Sequence, residues 1–329
     1  MARGRRTTAY VAIAAIVGLG LTACGDGDIE EADSSGSDCG ELTIAINPWT
    51  GYVANAHVIG VVAEQELGCT VDYPEVKEEV GWQGMADGSI DTIVENWGHS
   101  DLIKKYVDEQ GSVVDAGLTG NEGLIGWFVP QWMADEYPDI TNWENLNKYA
   151  DMFETSESDG KGQLLDGDPS YVTNDEALVK NLDLDYKVVV GGSEAALLTS
   201  FRSAEENKSP LLAYFYTPQW YAEVNGQSTP GVEDPVQIAH VELPEYTEGC
   251  DADPAEVACD YPPYHLNKLM STEFADSDSP AVGLIENFEW TNEDQNLVAS
   301  YIGQDGMDPD AAAEKWIADN QDKVDAWLE

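Results

Sequence analysis

Two tryptophans and two tyrosines stand where a large ring is least expected. Trp49 lies in Asn47-Pro48-Trp49-Thr50-Gly51-Tyr52 and Trp97 in Asn96-Trp97-Gly98-His99, while Tyr171 follows Pro169-Ser170 and Tyr216 precedes Thr217-Pro218. Each sits in a turn or at the end of a strand-like run. A single ring in such a place wedges two loops together about as often as it binds anything; four of them point to a site. Rings that face one another make a box for a quaternary ammonium, held by cation–π attraction. Gly51, Tyr52 and His99 share these turns and are the candidates for the polar end of the ligand, with His99 a donor to a carboxylate.

Other chemistries lack their residues. The four histidines, His57, His99, His240 and His265, show no metal spacing, and neither a nucleophile elbow nor a phosphate-cradling loop is present. Gly191-Gly192-Ser193 before a helix reads as a turn and cap. No catalytic residue, metal or cofactor is expected, and the chain is not read as an enzyme. With 15 basic against 63 acidic residues, a formal net charge of −48, it has no basic footprint for nucleic acid. Such a charge keeps an exported protein soluble. Arg202 is the sole arginine beyond the first six residues, so a clamp for a carboxylate, sulfonate or phosphate falls to it alone.

The elements that must position these rings alternate. Leu42–Ile46 reads as a strand, Val53–Leu67 as an amphipathic helix, Cys69–Val76 as a strand, Val80–Asp87 as a helix ending at Gly88, and Ile90–Val94 as a third strand. This rhythm predicts a mostly parallel sheet covered by helices, whose ligands bind beyond the carboxyl ends of the strands. Leu124–Val129 is apolar throughout, like a buried central strand. Residues 151–168 are polar and read as a loop. Asp175–Asn181 and Ser193–Arg202 read as helices, and Tyr186–Val190, Leu211–Tyr216 and Val236–Leu243 as strands. Helices close the chain, the last starting at Asp308-Pro309. Trp82, Trp127, Trp143, Trp290, Trp316 and Trp327 fall on periodic apolar faces and are assigned to the core.

The first residues belong to export. Arg3, Arg5 and Arg6 precede an apolar run from Tyr10 to Leu21, and Leu21-Thr22-Ala23-Cys24 ends in cysteine rather than in small residues alone. That run resembles the bacterial lipobox, which implies a signal peptide over 1–23 and lipidation of Cys24. The chain would then be tethered to the outer face of the cell membrane. Residues 24–40 are acidic and Gly/Ser-rich, a flexible tether. Four cysteines remain, an even number suited to an oxidising compartment. They allow three pairings; the short Cys250–Cys259 loop favours a local bridge and leaves Cys39 to join Cys69.

Beyond Glu41 the chain resembles the substrate-binding lipoproteins of glycine betaine/choline-type, quaternary-amine ABC importers. The marks are the Trp49 turn, Gly84-Met85-Ala86-Asp87-Gly88-Ser89-Ile90-Asp91 leading into Asn96-Trp97, Tyr216-Thr217-Pro218-Gln219-Trp220, and the Ala311–Ile317 helix running to Trp327. The resemblance implies a two-lobed α/β periplasmic-binding-protein-like fold of type II, with a hinge between the lobes. Lobe 1 is then 41–122 with 228–329 and lobe 2 is 123–227, with crossovers near Gly120–Gly126 and Ala222–Val232. Trp97 becomes a wall of an aromatic cage, Tyr171 and Tyr216 match positions where relatives often carry Trp, and Trp49 supplies a fourth wall. The ligand is expected to be glycine betaine, with choline, proline betaine or another small solute such as an amino acid as alternatives. The partners are ABC permease subunits, and the protein itself is a monomer. A histidine that some relatives carry after the Trp-Thr-Pro motif is absent, Gln219 and Trp220 standing there, which leaves betaine and choline both open. An anchored extracellular hydrolase and a surface adhesin are the readings from other classes.

Overall fold

A computed structural model describes residues 39–329 other than Val172, Asn225, Ser228 and Pro230; the signal peptide, Cys24 and nearly all of the tether lie outside the described residues. Ten strands and their flanking helices form two sheets' worth of structure around one strand that belongs to both. This is β4, Val113–Pro130. Its first half, Val113 to Gly123, pairs antiparallel with β10 (Tyr264–Ser271). From Leu124 to Phe128 it pairs instead with β7 (Ala213–Thr217), and Trp127–Pro130 pairs on the other side with β9 (Val236–Val241).

The first lobe is built on β1 (Glu41–Thr43), β2 (Thr70–Asp72) and β3 (Thr92–Asn96). β1 and β2 are parallel, and Ile44 bridges on to Thr92 of β3 in the same sense. β10 lies antiparallel between β3 and β4. In the second lobe β5 (Gly162–Asp166) joins β6 (Tyr186–Val190) and β7 in parallel, and β8 (Ala222–Val224) joins β9 in parallel. Each lobe therefore has a single strand running against the rest, β10 in one and β4 in the other.

Local signals explain the helices. α1 (Thr50–Leu67) ends at Gly68, whose φ of +71° lets the chain turn back, and α2 (Glu78–Asp87) ends the same way at Gly88. α3 (Asp175–Asn181) precedes β6, and α4 (Glu194–Asn207) starts under the Ser193 side chain, which accepts the Ala196 N–H. α5 (Asn292–Gly303) opens on a capping box from Thr291 and Asp294. α6 (Pro309–Asp319) has Asp308 as its cap, and α7 (Gln321–Trp327) follows. α1 packs on α5 and α6. Behind them the Trp290, Trp316 and Trp327 rings stack edge and face, with centroids 5.4 and 5.8 Å apart. Trp82 and Trp127 are buried as well, whereas Trp143 is only half-buried.

One expectation from sequence needs correcting. Residues 162–166, read as part of a loop, form β5: only Leu164 and Leu165 are strongly apolar, too short a run to stand out beside so many polar neighbours. The segment 264–271, to which the sequence reading assigned no element, is β10, a strand between β3 and β4. Its Lys268 faces inward and is buried, donating to the carbonyl oxygens of Glu286 and Phe288, and burial pulls that ammonium down to about 8. Residues 236–241 pair with the second half of β4. The two disulfides, Cys39–Cys69 and Cys250–Cys259, are present.

Candidate functional site

The turn after β1 and the turn after β3 leave the same edge of the first lobe, as strand ends of an open α/β sheet do. Trp49 is the extended residue that precedes α1, with φ −139° and ψ 147°. Trp97 follows β3 directly, and Gly98, at φ +79°, bends the chain away behind it. Both indoles are buried. Strand alternation puts Glu95 and Trp97 on one face, and Glu95 is where the two turns meet. Its Oε1 accepts both indole N–H groups, Trp49 Nε1 and Trp97 Nε1, each at 2.8 Å. Its Oε2 accepts from Gln295 Nε2 of α5 at 2.9 Å and from Asn55 Nδ2 of α1. Burial pushes the Glu95 carboxyl up to about 7, against the pull of these four donors.

The second lobe supplies the facing walls. Tyr216 lies in β7, opposite Ile125 of β4, and Tyr171 in the loop after β5. The four rings touch in sequence and nearly at right angles. Trp49 to Tyr171 is 5.8 Å between centroids at 84°, Tyr171 to Tyr216 is 6.1 Å at 89°, and Tyr216 to Trp97 is 5.9 Å at 78°. Glu95 closes the circuit between the two indoles. The cavity they line, with a volume of about 130 Å³, is far smaller than the roughly 300 Å³ or more of a drug-sized site. It suits a solute of a few carbons.

All four rings named from sequence thus meet at one cavity. Three tyrosines the sequence reading passed over, Tyr214, Tyr261 and Tyr264, line it too. Tyr264 stands 5.5 Å from Trp97; its signal was the Tyr261-Pro262-Pro263-Tyr264 turn. Glu95 and Glu194 were also missed. A carboxylate inside the fully buried run Ile93-Val94-Glu95-Asn96 is itself a signal, because such a group must find partners.

The proposed polar residues fare differently. His99 lines the cavity, but its Nε2 faces Glu78 Oε2 at 3.1 Å. Burial lowers the imidazole, and the Glu78 carboxylate, with Asp101 and Glu79 beyond, more than reverses this and raises it. Gly51 and Tyr52 do not line the cavity. Tyr52 is fully buried, packs edge-on to Trp49 at 5.3 Å and accepts the Val94 N–H. A side chain at Gly51 would strike Gln295 Nε2, 2.5 Å from its Cβ. Both lie behind the Trp49 wall. Arg202 is elsewhere, donating from Nε to the Tyr221 hydroxyl at 2.8 Å and from Nη1 to Asp234 at 3.1 Å. Among the described residues, no helix is long and apolar enough to cross a membrane, and no group of His, Cys, Asp and Glu is arranged to hold a metal ion.

Residues 40–319 match the family OpuAC, described as the substrate binding domain of ABC-type glycine betaine transport system. The trimethylamine N-oxide-binding protein of Pelagibacter ubique is 24% identical over 292 residues, covering 85% of this chain and 88% of that protein. The glycine betaine/proline betaine-binding periplasmic protein of Salmonella typhimurium is 25% identical over 282 residues, covering 81% and 82%. Among solved structures, lactococcal OpuAC in its closed-liganded conformation with glycine betaine superposes with a TM-score of 0.66 at 21% identity, covering 88% of this chain and 99% of that one. An ABC-transporter choline binding protein in complex with choline gives 0.69 at 18% identity, covering 88% and 92%.

Proposed function

The chain belongs to the family of substrate-binding domains of ABC-type glycine betaine transport systems, proteins that bind and hand over a solute without converting it, and on that premise we propose that it captures a trimethylammonium compound for an ABC importer. Trp49, Trp97, Tyr171 and Tyr216 form the cage. The observation that carries this reading is the closed circuit of four perpendicular rings, two of them tied to one buried carboxylate. A quaternary ammonium has no N–H to give, so it is held by ring faces and by negative charge; the site offers both.

Lobe 1, as we propose it, comprises residues 41–122 and 264–329, and lobe 2 residues 123–241, with the segment between carrying the second crossover. Two rings come from each lobe. The ligand completes a contact that neither lobe makes alone, so it favours the closed state, and closure presents both lobes to the permease. Cys24 is the proposed lipid anchor on the outer face of the membrane, with the protein a monomer. An amino acid or sulfonate ligand is less well supported, because Arg202 is engaged with Tyr221 and Asp234.

The test is intrinsic tryptophan fluorescence of the exported domain during titration with glycine betaine, choline, proline and taurine. A saturable change is expected with a trimethylammonium compound and none with proline or taurine. A response to taurine or proline alone would sink the cage.

A further inference from the structure

Most of the groups around the cage that could receive a ligand's carboxylate already face the chain's own carboxylates. The N-terminus of α1, directly beside Trp49, is an anion site by construction. Glu194, the first residue of α4 in the other lobe, fills it: its Oε2 accepts the Thr50 N–H at 3.1 Å and the Thr50 hydroxyl at 2.6 Å. Its Oε1 accepts the hydroxyl of the cage residue Tyr216 at 2.6 Å and Gln219 Nε2 at 3.0 Å. Glu194 is itself buried, 8% exposed. The two indole N–H groups are taken by Glu95, and His99 Nε2 lies 3.1 Å from Glu78 Oε2.

What remains at the cavity wall is of the opposite character. Glu78, Asp101 and Asp251 line it, and the buried Tyr171 hydroxyl makes no hydrogen bond among the described residues. A ligand carboxylate placed here would have the neutral Tyr171 hydroxyl as its free donor and would stand among three acids, with the N-terminus of α1 already occupied by Glu194, and burying a poorly compensated charge is costly. A hydroxyl, by contrast, can pair with Tyr171 or give its proton to a carboxylate.

We propose that Glu194 is a specificity-determining residue that excludes carboxylate-bearing solutes, so that the ligand is a net-cationic trimethylammonium compound without a carboxylate, of the choline class. This rests on the cage reading above and revises the expectation of glycine betaine. Glu194 joins the two lobes and Tyr216 in one hydrogen-bonded unit, so the same contact that selects the ligand also stabilises closure.

Calorimetric titration of the exported domain with choline, tetramethylammonium and glycine betaine, at fixed pH and salt, tests it. Choline should bind at least tenfold more tightly than glycine betaine, with tetramethylammonium binding measurably as the bare headgroup. In Glu194→Gln the choline preference should shrink about tenfold. Wild-type protein that binds glycine betaine as tightly as choline overturns the proposal even if the variant fails to fold. So does a folded variant with an unchanged ratio. If none of the three ligands binds, the cage reading itself falls, a different result from a cage that prefers betaine.

Discussion

Glu95→Ala should be the most damaging single substitution at the site. It leaves four buried donors, on Trp49, Trp97, Asn55 and Gln295, without their acceptor. Each unsatisfied buried group costs about 1–3 kcal/mol, so a loss of at least about 3 kcal/mol is expected even if water enters. Denaturant unfolding reads it directly; a loss under about 1 kcal/mol would show that Glu95 is not the anchor. Binding should fall with it, because the indoles lose their fixed positions. The wild type should also respond to pH in a stated direction. The Glu95 carboxyl sits near 4.5 when unfolded and about 7 when folded, so the native state holds more protons between these values. This group's contribution to stability is therefore greatest at low pH and declines as pH rises through that window, by on the order of 3 kcal/mol. A cation in the cage favours the ionised form, so affinity should rise with pH through 7. Glu95→Gln should abolish both slopes.

Trp97→Ala is expected to have the second-largest effect. A desolvated cation–π contact is worth about 2 kcal/mol or more, which is roughly thirtyfold in affinity. The ring also meets Tyr216 and Tyr264, so its neighbours lose packing as well. Trp97→Phe separates the two jobs of the side chain: it keeps a ring face but gives Glu95 no N–H. Recovery of most of the affinity by Phe would assign the effect to the face, and recovery of none would assign it to the tie with Glu95. Unchanged affinity in Trp97→Ala would remove that residue from the cage.

Much of this was legible in the chain because the rings break local rules. An indole beside Gly98 or Pro48 has no apolar periodicity to belong to, and that mismatch singled out Trp49 and Trp97. The β–α alternation before residue 96 was equally plain. What stayed hidden depended on long-range pairing. β10 places Lys268 inward, where carbonyl oxygens from a distant segment satisfy it, and no local pattern announces such partners. β9 reads as a strand anywhere, but only its pairing with Trp127–Pro130 assigns it to a lobe. Among 63 acidic residues, Glu95 and Glu194 were indistinguishable by type; burial alone sets them apart.

The point where β4 changes partners also lies under the cage. A side chain at Gly123 would put its Cβ 2.5 Å from Trp97 Cζ3, so the indole rests on the bare backbone of the last residue paired to β10, next to the first paired to β7. Just before it, the five residues of β4 from Leu118 to Glu122 span what the three residues of β10 from Asn267 to His265 cover, a bulge that adds twist to the ribbon. Trp97 is then both a wall and a bearing surface. With Trp97 as a cage wall, as proposed, torsion of the ribbon is expected to tilt the ring, and a ligand held against the ring is expected to resist that torsion. Dwell time is accordingly a property of the ribbon as much as of the cage, and stopped-flow release should slow with the same temperature dependence as lobe opening.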